Sequence, residues 1–236
     1  MSEQNGHVEN NKTSGKYLLV WDLPTRLFHW FIVVLVIVCA VTGKVGIDFM
    51  RVHMASGYGL LTLLLFRLIW GFVGGHHSRF ATFVCGPAKV LRYAAGIVKN
   101  NGPLYLGHNP LGGWSVMAML GALLLQVTMG LFASDDIFTE GPLYPLVSNT
   151  LSGFLTRIHK LNAWVIVFLV TVHVLAVLFY LVVKRKNLIK PMINGVKWWR
   201  GPSPEAGSSL WAAAAIAGFC AGMVYLIVRY MPHHFL

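Results

Sequence analysis

Four histidines stand inside or at the edges of long apolar runs: His29 in "TRLFHWF", His53 in "RVHMASGYG", and His159 and His173 in "LTRIHKLNAWVIVFLVTVHVLAVLFYLVVKRK". An imidazole in hydrocarbon is costly unless it finds a partner, so four of them ask for a common cause. His159 and His173 are fourteen residues apart, close to four helical turns, which puts both on one face with about 21 Å of rise between them. That spacing suits two ligands to two stacked metal centres. Zinc would want three or four ligands converging at one depth, often with cysteine or carboxylate, and no such cluster is seen. A proton or ion transporter would carry Asp or Glu within its spans, which contain essentially none. Cys39, Cys85 and Cys220 are scattered, with neither a CxxCH for covalent haem nor a CxxC pair, and read as small apolar fillers.

The elements that must position these histidines are membrane helices. The chain of 236 residues is 56% hydrophobic and 11% charged, whereas about a quarter of residues carry charge in soluble proteins. Five apolar runs can cross about 30 Å of hydrocarbon. They are Leu27–Gly43, His53–Val73, Leu111–Phe132, Ile158–Val183 and Leu210–Val228. The polar beginning, "MSEQNGHVENNKTSGKY", has neither an apolar core nor a cleavage site, so the first run is expected to be kept as a span. Arg79, Lys89, Arg92 and Lys99 stand between runs two and three without an acid, and Lys184, Arg185, Lys186, Lys190, Lys197 and Arg200 follow run four against Glu205 alone. Asp135, Asp136 and Glu140 stand between runs three and four. The bias places the amino terminus in the cytoplasm of a bacterial inner membrane and the carboxyl terminus outside. The formal net charge of +11 is mostly this signal; basic residues that flank apolar runs do not make a nucleic-acid patch. The stretch "CGPAKVLRYAAGIVKNNG" opens with Pro87 and spaces Val90, Leu91, Ala94, Ile97 and Val98 on one face, as a helix along the membrane surface or a short soluble helix would.

Depth pairs the histidines. Under this orientation His29 and His173 lie toward the cytoplasm, and His53 and His159 toward the outside. Each pair offers what a bis-histidine b-type haem needs, two neutral imidazoles facing one another across a bundle. A flat macrocycle also needs missing side chains near its ligands. Gly57, one turn after His53, and Gly59, Gly121 and Gly130 are candidates. Arg26 and Arg67 are candidate partners for the propionates of the inner haem, and Arg51 and Arg157 for those of the outer one.

The stretches "VWDLPTRLFHW", "RVHMASGYGLLTLLLFRLIWGF", "GHNPLGGW" and "TRIHKLNAWVIVFLVTVHVLAVLFY", within residues 20–190, together resemble the bacterial cytochrome b561 and NiFe-hydrogenase-type cytochrome b family. The resemblance implies an all-α transmembrane four-helix core holding two b haems, with ligands falling on His29, His53, His159 and His173. It further implies electron transfer between a membrane quinone or quinol and a redox partner, such as a periplasmic c-type cytochrome or an oxidoreductase subunit. The expected organisation is a cytoplasmic tail (1–19), the di-haem core (20–190), a linker (191–208) and a fifth membrane helix with a periplasmic tail (209–236). This last part departs from the family pattern, and its His233 and His234 are expected to be merely solvated. His108 in "GHNPLGG" reads as a loop-anchoring residue or a contact for a quinone headgroup or propionate. The acidic loop is expected to steer a basic partner. Two rival readings stand beside this one. A stand-alone superoxide:quinone oxidoreductase would need a cationic entrance near Arg51, Arg157 and Lys160. A non-redox membrane anchor would be colourless, and an oligomer is compatible with each of these readings.

Overall fold

The computed structural model describes residues 15–96, 105–135, 139–201, 203–204 and 206–234, with backbone alone at 47 and 231–234. In chain order the elements are β1 (Lys16–Leu19), α1 (Leu23–Val45), α2 (Met50–Val73), the single turn α3 (Phe80–Phe83) and α4 (Pro87–Gly96). Then follow α5 (Pro110–Leu131), α6 (Asn149–Val182), α7 (Ile189–Asn194), β2 (Val196–Trp199) and α8 (Leu210–His234). Five of them, α1, α2, α5, α6 and α8, are long and apolar enough to cross a membrane. The fold is thus an all-α, multi-pass bundle, and each expected span has its helix.

Four of the five helices begin earlier than their apolar runs do. Asp22 caps α1 by accepting from Thr25 N at 2.9 Å, Asn109 caps α5 by accepting from Gly112 N at 2.7 Å, and Ser148 caps α6 by accepting from Leu151 N. Caps satisfy the orphan N–H groups of a first turn, and that turn is polar because it stands outside hydrocarbon. A scan for apolar runs misses it. The 34 residues of α6 are about 51 Å long, so this helix either tilts or projects beyond the bilayer.

Packing is uneven. Helix α1 lies along α2, α5 along α6, and α2 also touches α5 and α8, whereas α6 packs chiefly against α5. The core between them is built from Leu60, Leu61 and Leu64 of α2, Leu120 and Val127 of α5, and Val224 of α8. Lipid is as apolar as leucine, so polar side chains are needed to hold α5 to α6. Asn162 Nδ2 donates to Ala122 O at 2.9 Å and to Gln126 Oε1 at 2.8 Å. Ser152 Oγ donates to Phe132 O at 2.8 Å one end further on.

One element was not expected. β1 and β2 pair antiparallel, from Lys16 opposite Trp199 to Leu19 opposite Val196, so the amino-terminal segment and the segment after α7 form one small sheet. Gly195, with φ of 85°, lets the chain turn into β2; a Cβ there would meet Trp21 O at 2.8 Å. We call this the sheet end of the bundle and the opposite one the far end. Of the surface helix expected after Pro87, α4 covers Pro87–Gly96, with Val90 buried and Leu91 70% exposed; Ile97, Val98 and Lys99 lie outside the described residues.

Asp22 ties the sheet end together. Only 2% exposed, it accepts from Thr25 N, from Trp70 Nε1 at 3.2 Å and from Gly75 N at 3.1 Å. It thereby joins the start of α1 to the end of α2. Asp22→Ala strands three buried donors, and we expect it to lower stability by about 3 kcal/mol or more, with Asp22→Asn milder. Thermal unfolding in detergent checks this: an alanine variant as stable as the native chain would show that Asp22 is not the tie.

Candidate functional site

At the far end His53 of α2 and His159 of α6 face each other, with ring centroids 6.2 Å apart and planes at 78°. Two imidazoles bound on opposite sides of one metal, with metal–nitrogen bonds of about 2 Å, have their ring centres about 6 Å apart. The geometry fits a shared metal.

Both rings are held in the same way. His53 Nδ1 is 2.9 Å from Cys39 O of α1, and His159 Nδ1 is 2.9 Å from Gln126 O of α5. A carbonyl can only accept, so each Nδ1 carries the proton and each Nε2 keeps its lone pair for a ligand bond. A glycine stands one turn after each carbonyl. A Cβ on Gly43 would lie 3.1 Å from His53 Cε1, and one on Gly130 would lie 3.1 Å from His159 Cε1. Each imidazole therefore sits in a seat made of a carbonyl and a glycine four residues further on. Cys39 closes its seat by donating from Sγ to His53 O, and Thr42 Oγ1 lies 3.4 Å from His53 Nδ1. At His159, the Gln126 side-chain amide lies 3.2 Å from Nε2; a metal bound at that nitrogen would displace it, while Asn162 would keep its hold on α5 through Ala122 O.

The sheet end differs. His29 of α1 and His173 of α6 come within electrostatic reach of each other, and His108 lies within reach of both. Among the described residues, the buried side-chain nitrogens without a partner are Arg26 Nε, His29 Nδ1, Arg67 Nη1 and His108 Nδ1. All four belong to this end. Two guanidinium donors and two ring nitrogens without partners, so concentrated, fit a group that brings anionic oxygens and a metal, as a haem with its propionates does. Arg67 is 3% exposed; its Nη2 donates to Ser78 O at 3.0 Å, and its guanidinium lies 4.8 Å above the Phe80 ring. Arg26 Nη1 donates to Ile193 O. Ser78 in turn pairs with Thr25 at 2.7 Å.

His108 is packed between Trp21 and Phe83, at 4.7 and 4.6 Å between ring centroids. It borders a cavity of about 190 Å³ with His76, His77, Thr82 and Tyr105. Lys197 Nζ draws the adjoining loop in by donating to Tyr105 O and Leu106 O.

The far-end arginines stand apart from this network, Arg51 and Arg157 both being exposed. A Cβ on Gly57 or on Gly121 meets nothing within 4 Å, whereas one on Gly59 meets Leu35 at 3.1 Å. Glycine clearance against a ring is thus seen at Gly43 and Gly130. Among the described residues no three or more His, Cys, Asp or Glu converge. Asp136, Glu205 and the side chains of His233 and His234 lie outside the described residues.

Several contributors escaped the sequence reading. Asp22 was legible, since Asp-Leu-Pro at the mouth of an apolar run is a helix-start signal. Gln126 and Asn162 are polar residues inside apolar runs, where a polar group is expensive and marks a site. The carbonyls of Cys39 and Gln126 leave no trace in residue type, and Gly43 gains meaning only from its neighbour.

A membrane bundle that sets imidazoles of different helices face to face, with unpartnered guanidinium nitrogens at one end, is what a membrane-embedded b-type cytochrome of electron transport requires. The chain belongs to the prokaryotic cytochrome b561 family, whose model matches residues 20–195. The match ends before α8. Among similar proteins is the probable Ni/Fe-hydrogenase B-type cytochrome subunit of Azotobacter vinelandii, 29% identical over 79% of this chain and 90% of the relative. The protein of that description from Bradyrhizobium diazoefficiens is 27% identical over 77% and 86%. The probable Ni/Fe-hydrogenase 1 B-type cytochrome subunit of Escherichia coli K12 is 24% identical over 75% and 89%. No solved structure gives a significant match.

Outside the spans, His108 carries the clearest pH signature. Burial, with positive Arg67 and then His173, His77 and His29 adding to it, holds its imidazole down to about 3; burial lowers His77 as well, against the opposing contact with Pro204 O. An unfolded histidine titrates near 6.5, so between about 6.5 and about 3 the unfolded chain binds the extra proton. Stability therefore falls as pH falls through that window. Melting temperatures of the detergent-solubilised protein at about pH 7 and about pH 5 should show this loss, reduced in His108→Phe; an undiminished loss in the variant would assign it elsewhere.

Proposed function

We propose that the chain holds two b haems, one between His53 and His159 and the other between His29 and His173, and passes single electrons across the membrane. The observation that carries this reading is the far-end pair, two facing imidazoles whose Nδ1 protons are fixed on carbonyl oxygens. Haem supplies reversible one-electron chemistry when bound. The chain supplies the rest. Helix α6 sets the two centres fourteen residues apart, about 21 Å of rise, and the bundle excludes water between them. Arg26 and Arg67 meet propionates at the sheet end, and Arg51 and Arg157 meet them at the far end. Gly57 and Gly121 leave room for the macrocycle.

The sheet end faces the cytoplasm in this reading, because Arg79, Lys89, Arg92 and the run from Lys184 to Arg200 stand there. Quinone is the membrane-soluble redox partner. On the far side the partner is a periplasmic oxidoreductase subunit or c-type cytochrome, in line with relatives described as hydrogenase cytochrome subunits. The four-helix core is α1, α2, α5 and α6, with α8 an addition to it.

A pyridine haemochrome assay on detergent-purified protein should find about two b haems per chain. His53→Ala and His173→Ala should each lose one, with different reduced-minus-oxidised spectra remaining. Purified protein without haem would sink this reading.

A further inference from the structure

The two histidine pairs are not equivalent. On the far-end pair both Nδ1 protons are given to backbone carbonyls, Cys39 O and Gln126 O, at 2.9 Å. On the sheet-end pair His29 Nδ1 is buried with no acceptor, and His173 makes no hydrogen bond with a described residue. The carbonyl–glycine seat is built twice, on α1 by Cys39 and Gly43 and on α5 by Gln126 and Gly130. It serves the same centre both times.

The geometry points to an ordering of potentials: the His53/His159 haem is the low-potential centre and the His29/His173 haem the high-potential one, set by the carbonyl seats. This inference rests on the haem reading above. An N–H···O=C bond at Nδ1 gives the ring imidazolate character and makes its Nε2 a stronger donor to iron. A stronger donor favours the ferric form and lowers the potential. The sheet-end ligands lack that push.

Charge acts in the same sense. Buried Arg67, with Nη1 unpartnered, is a cation in a poorly screened place, and a nearby positive charge favours the electron-rich ferrous form. Asp22, within its electrostatic reach, offsets part of that charge, so the carbonyl seats and not the charge carry the ordering. The cations of the far end, Arg51, Arg157 and Lys160, are exposed, and water and salt screen them.

The step so favoured is a one-electron transfer. With haem bound, iron held by His53 and His159 would give up one electron and iron held by His29 and His173 would take it, with no ligand exchanged and no proton moved. A donor at the far end refills the first centre. Two such transfers, with two protons, reduce one quinone at the sheet end.

Redox titration of the full-length protein in detergent, followed at the haem bands, tests the ordering. We expect two one-electron steps separated by a factor of ten or more in equilibrium constant, about 59 mV. His53→Ala should retain the upper step and His29→Ala the lower. Each haem's charge acts equally on the other, so losing one leaves the order intact. Should either ligand variant bind no haem, Gly130→Ala decides. Its Cβ, 3.1 Å from His159 Cε1 and 3.3 Å from Nδ1, pushes the ring off Gln126 O and should raise the lower step alone. A single unresolved step, a lower step retained in His53→Ala, or a Gly130→Ala shift in the upper step would overturn the ordering. Haem content separates the two failures: native protein without haem removes the parent reading, whereas two haems in reversed order remove this inference only.

Discussion

An imidazole inside hydrocarbon has two nitrogens, and neither can be left without a partner at small cost. Much of this structure follows from how that demand is met. The backbone of a membrane helix has no spare N–H, but each carbonyl oxygen has a second lone pair. Cys39 O and Gln126 O give theirs to His53 and His159. A helix carbonyl points toward the residue four places on, whose Cβ leans back over it. A ring can approach from the side only where that Cβ is missing, which is the place of Gly43 and Gly130. Proton on Nδ1, lone pair on Nε2 and ring aimed into the slot are then one consequence of one contact.

The sheet end meets a different demand, that of holding cations where acceptors are scarce. Asp22, with three hydrogen bonds, settles the start of α1 against the end of α2. A Cβ on Gly75 would come within 2.6 Å of Asp22 Oδ2, so the loop passes there only as glycine. Thr25, Ser78 and Arg67 continue the network toward His29 and His108. β1 is joined to the segment before α8, with Ala206 N donating to Leu19 O. What the network leaves over, among the described residues, is the guanidinium donors Arg26 Nε and Arg67 Nη1 and the ring nitrogen His108 Nδ1. It is saturated in itself and open toward an anionic group.

The fold was legible where physics leaves a mark on residue type. Five apolar runs became five membrane helices because hydrocarbon admits little else, and depth alone paired His53 with His159, whose rings do face each other. Four helices begin ahead of their apolar runs because caps are polar and short. The sheet was missed because four-residue strands distant in sequence show no period, and Lys197, read only as part of a positive run, donates to two loop carbonyls. The seats were invisible for another reason. Their acceptors are backbone atoms, which every residue has, so Cys39 and Gln126 matter for their position on a helix and not for their side chains. Gln126 adds a side-chain role only through Asn162.

Helix α2 has the hardest task in this arrangement, and its packing reflects that. It carries His53 at the far end and Arg67 at the sheet end, so any tilt of α2 displaces these two side chains in opposite directions. It is also the helix with most neighbours: α1, α5 and α8 all pack on it. From α8, Val224 enters the cluster of Leu60 and Leu64, while Cys220 and Ala213 join Phe66 and Trp70. The family match ends at residue 195, so α8 is support added outside the matched segment. Small residues on α8 let its backbone come close, the usual way to gain contact where lipid gives no hydrophobic drive. A fifth helix without a ligand histidine in its described part thus still bears on both sites, by fixing the helix that spans the distance between them.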